Sequence, residues 1–504
     1  MAVAGSAIGL GNFLRFPAKA AANGGGAFMI PYFIALLLLG IPLMWIEWTL
    51  GRYGGGFGHG TAPGIFHSVW QKNRFIKYFG VIGIFGPLVI FIYYIFIESW
   101  TLAYSFFALT GKYTALTDQQ SLSSFLSGFQ GLEKNQYFNG IGTAYVFFLI
   151  TFLLNIAVIY YGIKGGIERF CRWAMPVLFI FALVLMARVV TLGTPDPAHP
   201  QWNVAAGFGF LWNPDFSALK SAKVWLEAAG QIFFTLSVGI GVILTYASYL
   251  KKADDVALSG LTAATTNELA EVVLGASVII PAAFVFFGPA ATGEIARSGV
   301  FNLGFVTMPL VLNQLPWPQV FGVFWFFLLF LAGITSSVSL AQPAVAFLED
   351  EFNIKRKRAA GIFGISAFIL CQPAIFFLGR GVVDELDFWG GTFFLVVFAT
   401  IETILFVWVF GMDRAWEEIH RGAQMTIPKV YKFIIKYITP LFLFIILGTW
   451  FAQEWLPIIM MKNTPAADKP FIFGTRMGLL LIFVILAILV KIAWQARPLR
   501  RQGQ

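Results

Sequence analysis

The sequence predicts an all-α polytopic membrane protein, and three observations carry that prediction. Of its 504 residues, 58% are hydrophobic and 12% charged, where a soluble domain carries roughly 25% charge. Apolar runs such as Phe28–Trp48, Phe79–Ile97 and Ala144–Tyr161 reach the ~18 residues that mark a membrane-crossing helix. Two further runs are interrupted by glycine clusters that a lipid-facing helix does not need. A net charge of +9 would suit nucleic acid, but most Lys and Arg sit in short loops beside the apolar runs, where they set orientation, so no nucleic-acid partner is expected. Cys171 and Cys371 form no CxxC, and His59, His67, His199 and His420 show no metal spacing, so neither redox nor zinc chemistry is indicated. No charged n-region with a short apolar stretch and an A-x-A site opens the chain, so no cleaved signal peptide is read.

In chain order, apolar stretches bounded by polar or turn-rich sequence give twelve spans, near 1–22, 27–52, 76–110, 144–162, 168–193, 223–249, 259–289, 318–349, 359–378, 388–411, 431–451 and 472–495. An even number puts both termini on one side of the bilayer. The loops after the even-numbered spans, with the C-terminal tail, hold 22 of the 34 Lys and Arg; Lys355-Arg356-Lys357-Arg358 and Arg497, Arg500 and Arg501 are the clearest markers. The positive-inside rule makes that side cytoplasmic, with both termini there.

The first span reads Gly5-Ser6-Ala7-Ile8-Gly9-Leu10-Gly11-Asn12, and the sixth reads Thr235-Leu236-Ser237-Val238-Gly239-Ile240-Gly241. Each glycine costs up to ~1 kcal/mol in a helix, and unwound backbone at membrane depth is tolerated only where it lines a cavity or is buried in protein. Taken alone, either cluster reads equally well as a site of close helix packing. Together they are the corresponding members of two five-helix halves, which points to a transporter built from inverted repeats. The expected division is a first repeat over 1–193, an extracellular connection over 194–222, a second repeat over 223–411, and two further helices with a cytoplasmic tail over 412–504.

Several stretches resemble the neurotransmitter:sodium symporter family, specifically its bacterial amino-acid transporters of the leucine-transporter kind. They are Gly9-Leu10-Gly11-Asn12-Phe13-Leu14-Arg15-Phe16-Pro17, Asn23-Gly24-Gly25-Gly26-Ala27-Phe28, Tyr93-Tyr94 with Glu98-Ser99-Trp100, Gly230-Gln231-Ile232-Phe233-Phe234-Thr235-Leu236-Ser237, and Ala332-Gly333-Ile334-Thr335-Ser336-Ser337. The resemblance implies a twelve-helix LeuT-like 5+5 inverted repeat in the bacterial inner membrane, holding a substrate and two sodium ions midway through the bilayer and working by alternating access. A homodimer is kept as a candidate assembly.

Breaking the two spans frees carbonyls that suit a hard cation and amides at half-helix N-termini that suit a carboxylate. By resemblance, the first sodium site comprises the carbonyls of Ala7 and Thr235, the Thr235 hydroxyl, the side-chain amides of Asn12 and Asn267, and the substrate carboxylate. The second comprises the carbonyls of Gly5, Ile8 and Ala332 with the hydroxyls of Thr335 and Ser336. The implied substrate pocket has the Leu10 and Gly11 amides and the Tyr94 hydroxyl at the carboxylate, and Ala7, Thr235 and Ser237 near the amino group. Its wall is Ile90, Phe234, Ser237, Ile240, Ser336 and Leu340. No residue of that wall is charged, so a neutral, apolar amino acid is expected. Ile240 stands where the leucine transporter has Phe, and Leu340 where it has Ile, so a roomier pocket that prefers Leu, Met and aromatic substrates over Ala and Gly is expected.

Ionisable residues within spans are functional candidates, because their burial costs at least ~2.5–3.5 kcal/mol on insertion scales. Arg15 and Asp387 match the family's extracellular gate pair, with Gln231 and Asp384 nearby and the Tyr94 and Phe234 rings as a lid beneath. Asp350 matches the acid of the intracellular gate. Chloride-dependent relatives have serine where Glu271 stands, so its carboxylate resembles a built-in substitute for the anion, and chloride should be dispensable. Glu47 reads equally as a hydrogen-bonded structural acid. Only Met1–Ser6 precede the first break, a rise of ~9 Å against a half-bilayer of ~15 Å, and the intracellular gate's N-terminal Arg is absent. A start at an internal Met, or a truncation, is therefore expected. A channel would need a continuous polar pore, and an enzyme would need a nucleophile and base; no Ser/His/Asp set or HExxH occurs in the spans. A non-transporting amino-acid sensor of the same fold is the alternative.

Overall fold

The computed structural model describes residues 2–297 and 299–501; Arg497, Arg500 and Arg501, named above as orientation markers, have side chains outside the described set. Among the described residues, ten helices are long and apolar enough to cross a bilayer: Gly26–Gly55, Ile76–Leu109, Gly142–Tyr160, Ile163–Val190, Val256–Glu294, Pro318–Phe352, Arg356–Phe376, Val382–His420, Val430–Gln453 and Lys469–Ala496. They correspond in order to the predicted spans two to five and seven to twelve. The first and sixth are not among the ten because each is split. The first runs Ala2–Ala7, then a wide π turn Gly11–Arg15 leading into Phe16–Ala22. The sixth runs Ala222–Leu236, then Val242–Ala247. Twelve spans result, and among the described residues no strand forms beyond one isolated bridge between Gly25 and Pro214.

The third span is the apolar axis. Ile82–Leu109 is buried along nearly its whole length and packs along the eighth, Pro318–Phe352. The split spans sit between these two and the second and seventh. In the first, Gly5 lies where a Cβ would be 2.9 Å from Cys171 Sγ of the fifth span and 3.3 Å from Thr335 Cβ of the eighth. Small residues here let backbones approach, as in membrane bundles generally.

The segments between spans are more ordered than the sequence suggests. Thr61 leads in extended conformation into Ala62–Val69, with Pro63 in the first turn. Asp118 accepts from Ser121 N at 2.8 Å to start Gln119–Phe129, and Asn203 accepts from Ala206 N at 2.9 Å to start Val204–Trp212. The connection 194–222 is therefore partly helical and packs on the seventh span, where a Cβ on Gly207 would be 2.9 Å from Pro281 Cα. Lacking long apolar periods, these short helices left only cap signals in the sequence.

Candidate functional site

At the sixth break Ser237 takes a left-handed conformation at φ 55°, and Gly239 and Gly241 lie at φ 77° and 81°. A Cβ at Gly241 would meet the Gly83 backbone, and one at Gly239 the Leu395 carbonyl, so both positions require glycine for space as well as for φ. Glu47, fully buried, accepts the Gly239 N–H at 2.5 Å and so caps a backbone donor freed by the break. This bond favours the structural reading of Glu47. The first break is held differently. Gly9 N–H donates to Asn12 Oδ1 at 2.8 Å, and Leu10 N–H donates to the Tyr94 hydroxyl at 3.2 Å.

Between the two breaks and the seventh span lies a dense polar cluster. Asn12 Nδ2 donates to Asn267 Oδ1 at 2.7 Å, to Thr235 Oγ1 at 3.2 Å and to Glu271 Oε2 at 3.3 Å. Asn267 Nδ2 donates to Thr235 Oγ1 at 3.0 Å and to Glu271 Oε2 at 3.2 Å, and the Thr235 hydroxyl donates to the same carboxylate. The side chains assigned to the first sodium site are thus brought together around Glu271, all of them buried. Gln231 belongs to this cluster too, donating to Glu271 Oε1 at 2.6 Å. Hydroxyl, amide and carboxylate oxygens suit a hard monovalent cation, and turning an Asn amide by 180° exchanges a donor for a ligand oxygen.

The residues assigned by resemblance to a second sodium site meet where the first and eighth spans touch. Thr335 Oγ1 donates to the carbonyls of Leu331 at 3.0 Å and Ala332 at 3.1 Å, while Gly5 abuts its Cβ and Ile8 is buried at the end of the half-helix. The Ser336 and Ser237 hydroxyls donate to the Ser6 carbonyl at 3.3 and 3.2 Å, tying the eighth span and the sixth break to the first.

A central cavity of about 40 Å³ lies beside these clusters. Ten of the eleven residues assigned to the substrate line it, namely Ala7, Gly11, Ile90, Tyr94, Phe234, Thr235, Ser237, Ile240, Ser336 and Leu340. Leu10 does not: it lines the larger cavity on the other side of the Tyr94 ring, with its amide on the Tyr94 hydroxyl. Ser6, Gly9 and Leu395 join the lining, with Asn12 of the polar cluster. Gly9 was findable as a member of the first span's glycine cluster, and the structure shows why it is small: a Cβ there would be 2.7 Å from Ser336 Oγ. Leu395 carries no motif. No charged side chain lines the cavity.

Beyond the Tyr94 and Phe234 rings opens a second cavity of about 280 Å³, lined by Arg15, Lys19, Tyr93, Phe301, Asp384 and Asp387 among others. Gly11, Tyr94 and Phe234 line both cavities, which places the two rings between them. Arg15 stands 4.2 Å above the Phe234 ring, and Asp387 accepts the Tyr93 hydroxyl at 2.6 Å. Arg15 and Asp387 face one cavity without forming an ion pair among those described. Lys19, which no sequence motif marks, pairs with Glu227 at 2.5 Å and joins the second half of the first span to the first half of the sixth. Asp350 lies at the opposite end, packed against Gly60, beside the Glu351–His59 pair at 3.0 Å.

The profile of the Sodium:neurotransmitter symporter family matches residues 1–122 and 114–495. An uncharacterised sodium-dependent transporter of Methanocaldococcus jannaschii is 31% identical over 88% of this chain and 87% of its own. The sodium-dependent nutrient amino acid transporter 1 of Drosophila persimilis is 27% identical over 87% of this chain and 72% of its own. The crystal structure of MhsT in complex with L-phenylalanine superposes with a TM-score of 0.74 at 28% identity, covering 88% of this chain and 96% of that one.

Proposed function

The chain belongs to the sodium:neurotransmitter symporter family, and we propose that it imports a neutral, apolar L-amino acid together with two sodium ions by alternating access, without chloride. It is a multi-pass membrane transporter, not an enzyme. In this reading the repeats span 1–193 and 223–411, both termini are cytoplasmic, and the 280 Å³ cavity opens to the outside of the plasma membrane.

The observation that carries the reading is the convergence of Asn12, Thr235, Asn267 and Glu271 beside an uncharged cavity floored by the two helix breaks. A zwitterion fits such a site. Its carboxylate would lie by the amides of Leu10 and Gly11 and the Tyr94 hydroxyl, completing the oxygen shell of the first sodium ion. Sharing that ligand couples the two solutes, so each must raise the affinity for the other. Thr335 and Ser336, with the carbonyls of Gly5, Ile8 and Ala332, would hold the second ion between the spans whose separation opens the other side. Arg15 and Asp387 would close over the vestibule, and Asp350 would serve at the cytoplasmic end. The names of the fly nutrient amino acid transporter and of the phenylalanine complex support an amino-acid cargo.

The test is uptake of labelled leucine by purified protein in liposomes, with inward sodium, with sodium replaced by choline, and with chloride replaced by gluconate. Uptake that requires sodium and ignores chloride is expected, and uptake driven by a proton gradient without sodium would overturn the reading. Binding without uptake would favour the sensor. Glu271→Ser should make uptake chloride-dependent, because the carboxylate supplies the negative charge beside the first sodium ion. Equal rates of that variant in gluconate and chloride would assign Glu271 another role.

A further inference from the structure

Leu395 comes from the tenth span, which contributed nothing to the pocket read from the sequence, yet it lines the central cavity. It also lines a second cavity of about 190 Å³, together with Phe233 of the sixth span and Trp450 of the eleventh on one side and Arg15 and the Lys19–Glu227 pair on the other. Its side chain therefore belongs to the wall between a 40 Å³ space and one several times larger. The wall cannot retreat as a unit. A Cβ at Gly239 would lie 2.5 Å from the Leu395 carbonyl and 3.1 Å from Ala399 Cβ, so the tenth span is pressed onto the sixth break. Ile240, the next residue, lines the central cavity beside it.

We propose that Leu395 is a specificity-determining residue, a partition that caps the length of the substrate side chain and separates it from a side cavity that has the Phe233 and Trp450 rings in its wall and the Lys19–Glu227 pair at its far side. This rests on the amino-acid reading of the central cavity and adds to it the residue that sets the size limit. Truncating Leu395 joins the two spaces without touching the breaks, the polar cluster or the Tyr94 hydroxyl. Enlarging it fills the space in front of Ile240. One or two methylenes of room in an apolar pocket change selectivity by roughly 10–200-fold, and the 190 Å³ behind the partition exceeds that room.

The test is sodium-dependent uptake of labelled leucine in liposomes, competed by alanine, leucine, phenylalanine and tryptophan, for the unmodified protein, Leu395→Ala, Leu395→Val and Leu395→Phe. Leu481→Ala, on a lipid-facing position of the twelfth span, is the control. Leu395→Ala should raise the potency of tryptophan relative to alanine by about tenfold or more, Leu395→Val by less, and Leu395→Phe should lower it by a similar factor. If Leu395→Ala fails to fold, Leu395→Val and Leu395→Phe still move the ratio in opposite directions. An unchanged ratio in folded variants that bind sodium normally overturns the partition and leaves the transport reading standing. An unmodified protein that takes up no amino acid with sodium overturns the transport reading, and the partition with it.

Discussion

At the break of the sixth span Ser237, Gly239 and Gly241 all take positive φ, whereas no described residue between Ala7 and Gly11 of the first span does. The sixth break is written into the backbone and capped by Glu47. The first is held open by what surrounds it: the Asn12 side chain, the Tyr94 hydroxyl and the Ser336 and Ser237 hydroxyls on the Ser6 carbonyl. The same groups form the assigned ion and substrate sites. A break made by backbone conformation carries its shape in its own φ values, while one made by side chains depends on the partners those side chains keep.

Four substitutions probe that difference, in falling order of effect. Gly241→Ala forces a left-handed alanine, at about 1–2 kcal/mol, and adds a collision with the Gly83 backbone. It should lower the thermal unfolding temperature in detergent sharply, with or without sodium; an unchanged melting curve would mean that the sixth break is as adaptable as the first. Asn12→Ala leaves the buried Gly9 N–H and Asn267 Oδ1 without a partner, so it should lower the sodium-free melting temperature, by less than Gly241→Ala, and weaken sodium and leucine binding together by about 10–100-fold. Loss of one affinity alone would separate the break from the ion. Tyr94→Phe leaves the Leu10 N–H without its acceptor and should weaken leucine about fivefold, at ~1 kcal/mol per hydrogen bond; equilibrium binding by scintillation proximity reads it. Ser237→Gly relieves the left-handed strain but gives up the hydroxyl bond to Ser6 and adds chain entropy, so these terms nearly cancel and stability should change by less than about 1 kcal/mol. A larger change would show that the Ser6 tie dominates.

The sequence located both breaks because glycine clusters at membrane depth demand a reason, and the twelve spans because apolar length is set by the bilayer. It also grouped Asn12, Thr235, Asn267 and Glu271, three of them as ligands of one ion and the fourth as the charge beside it, through the resemblance rather than through spacing, since 255 residues separate Asn12 from its partner Asn267. Leu395, the Lys19–Glu227 pair and the turn of Gln231 toward Glu271 were not legible. Each is a contact between distant segments made by a residue type that is ordinary in its own span. The same is true of Arg52, near the end of the second span, which is buried and donates to the carbonyls of Asp254 at 2.6 Å, Arg421 at 2.8 Å and Glu418.

The close seating of Gly5 on Cys171 has a practical consequence. Both cysteines are reduced and inaccessible, Cys171 behind the Ala2–Ala7 half-helix and Cys371 within the ninth span. Only the first is covered by a segment whose anchorage depends on polar side chains. Its alkylation by a small maleimide therefore becomes a clock for how often that half-helix leaves its seat, readable by mass spectrometry on the unaltered chain. Cys371 in the same sample supplies the blank.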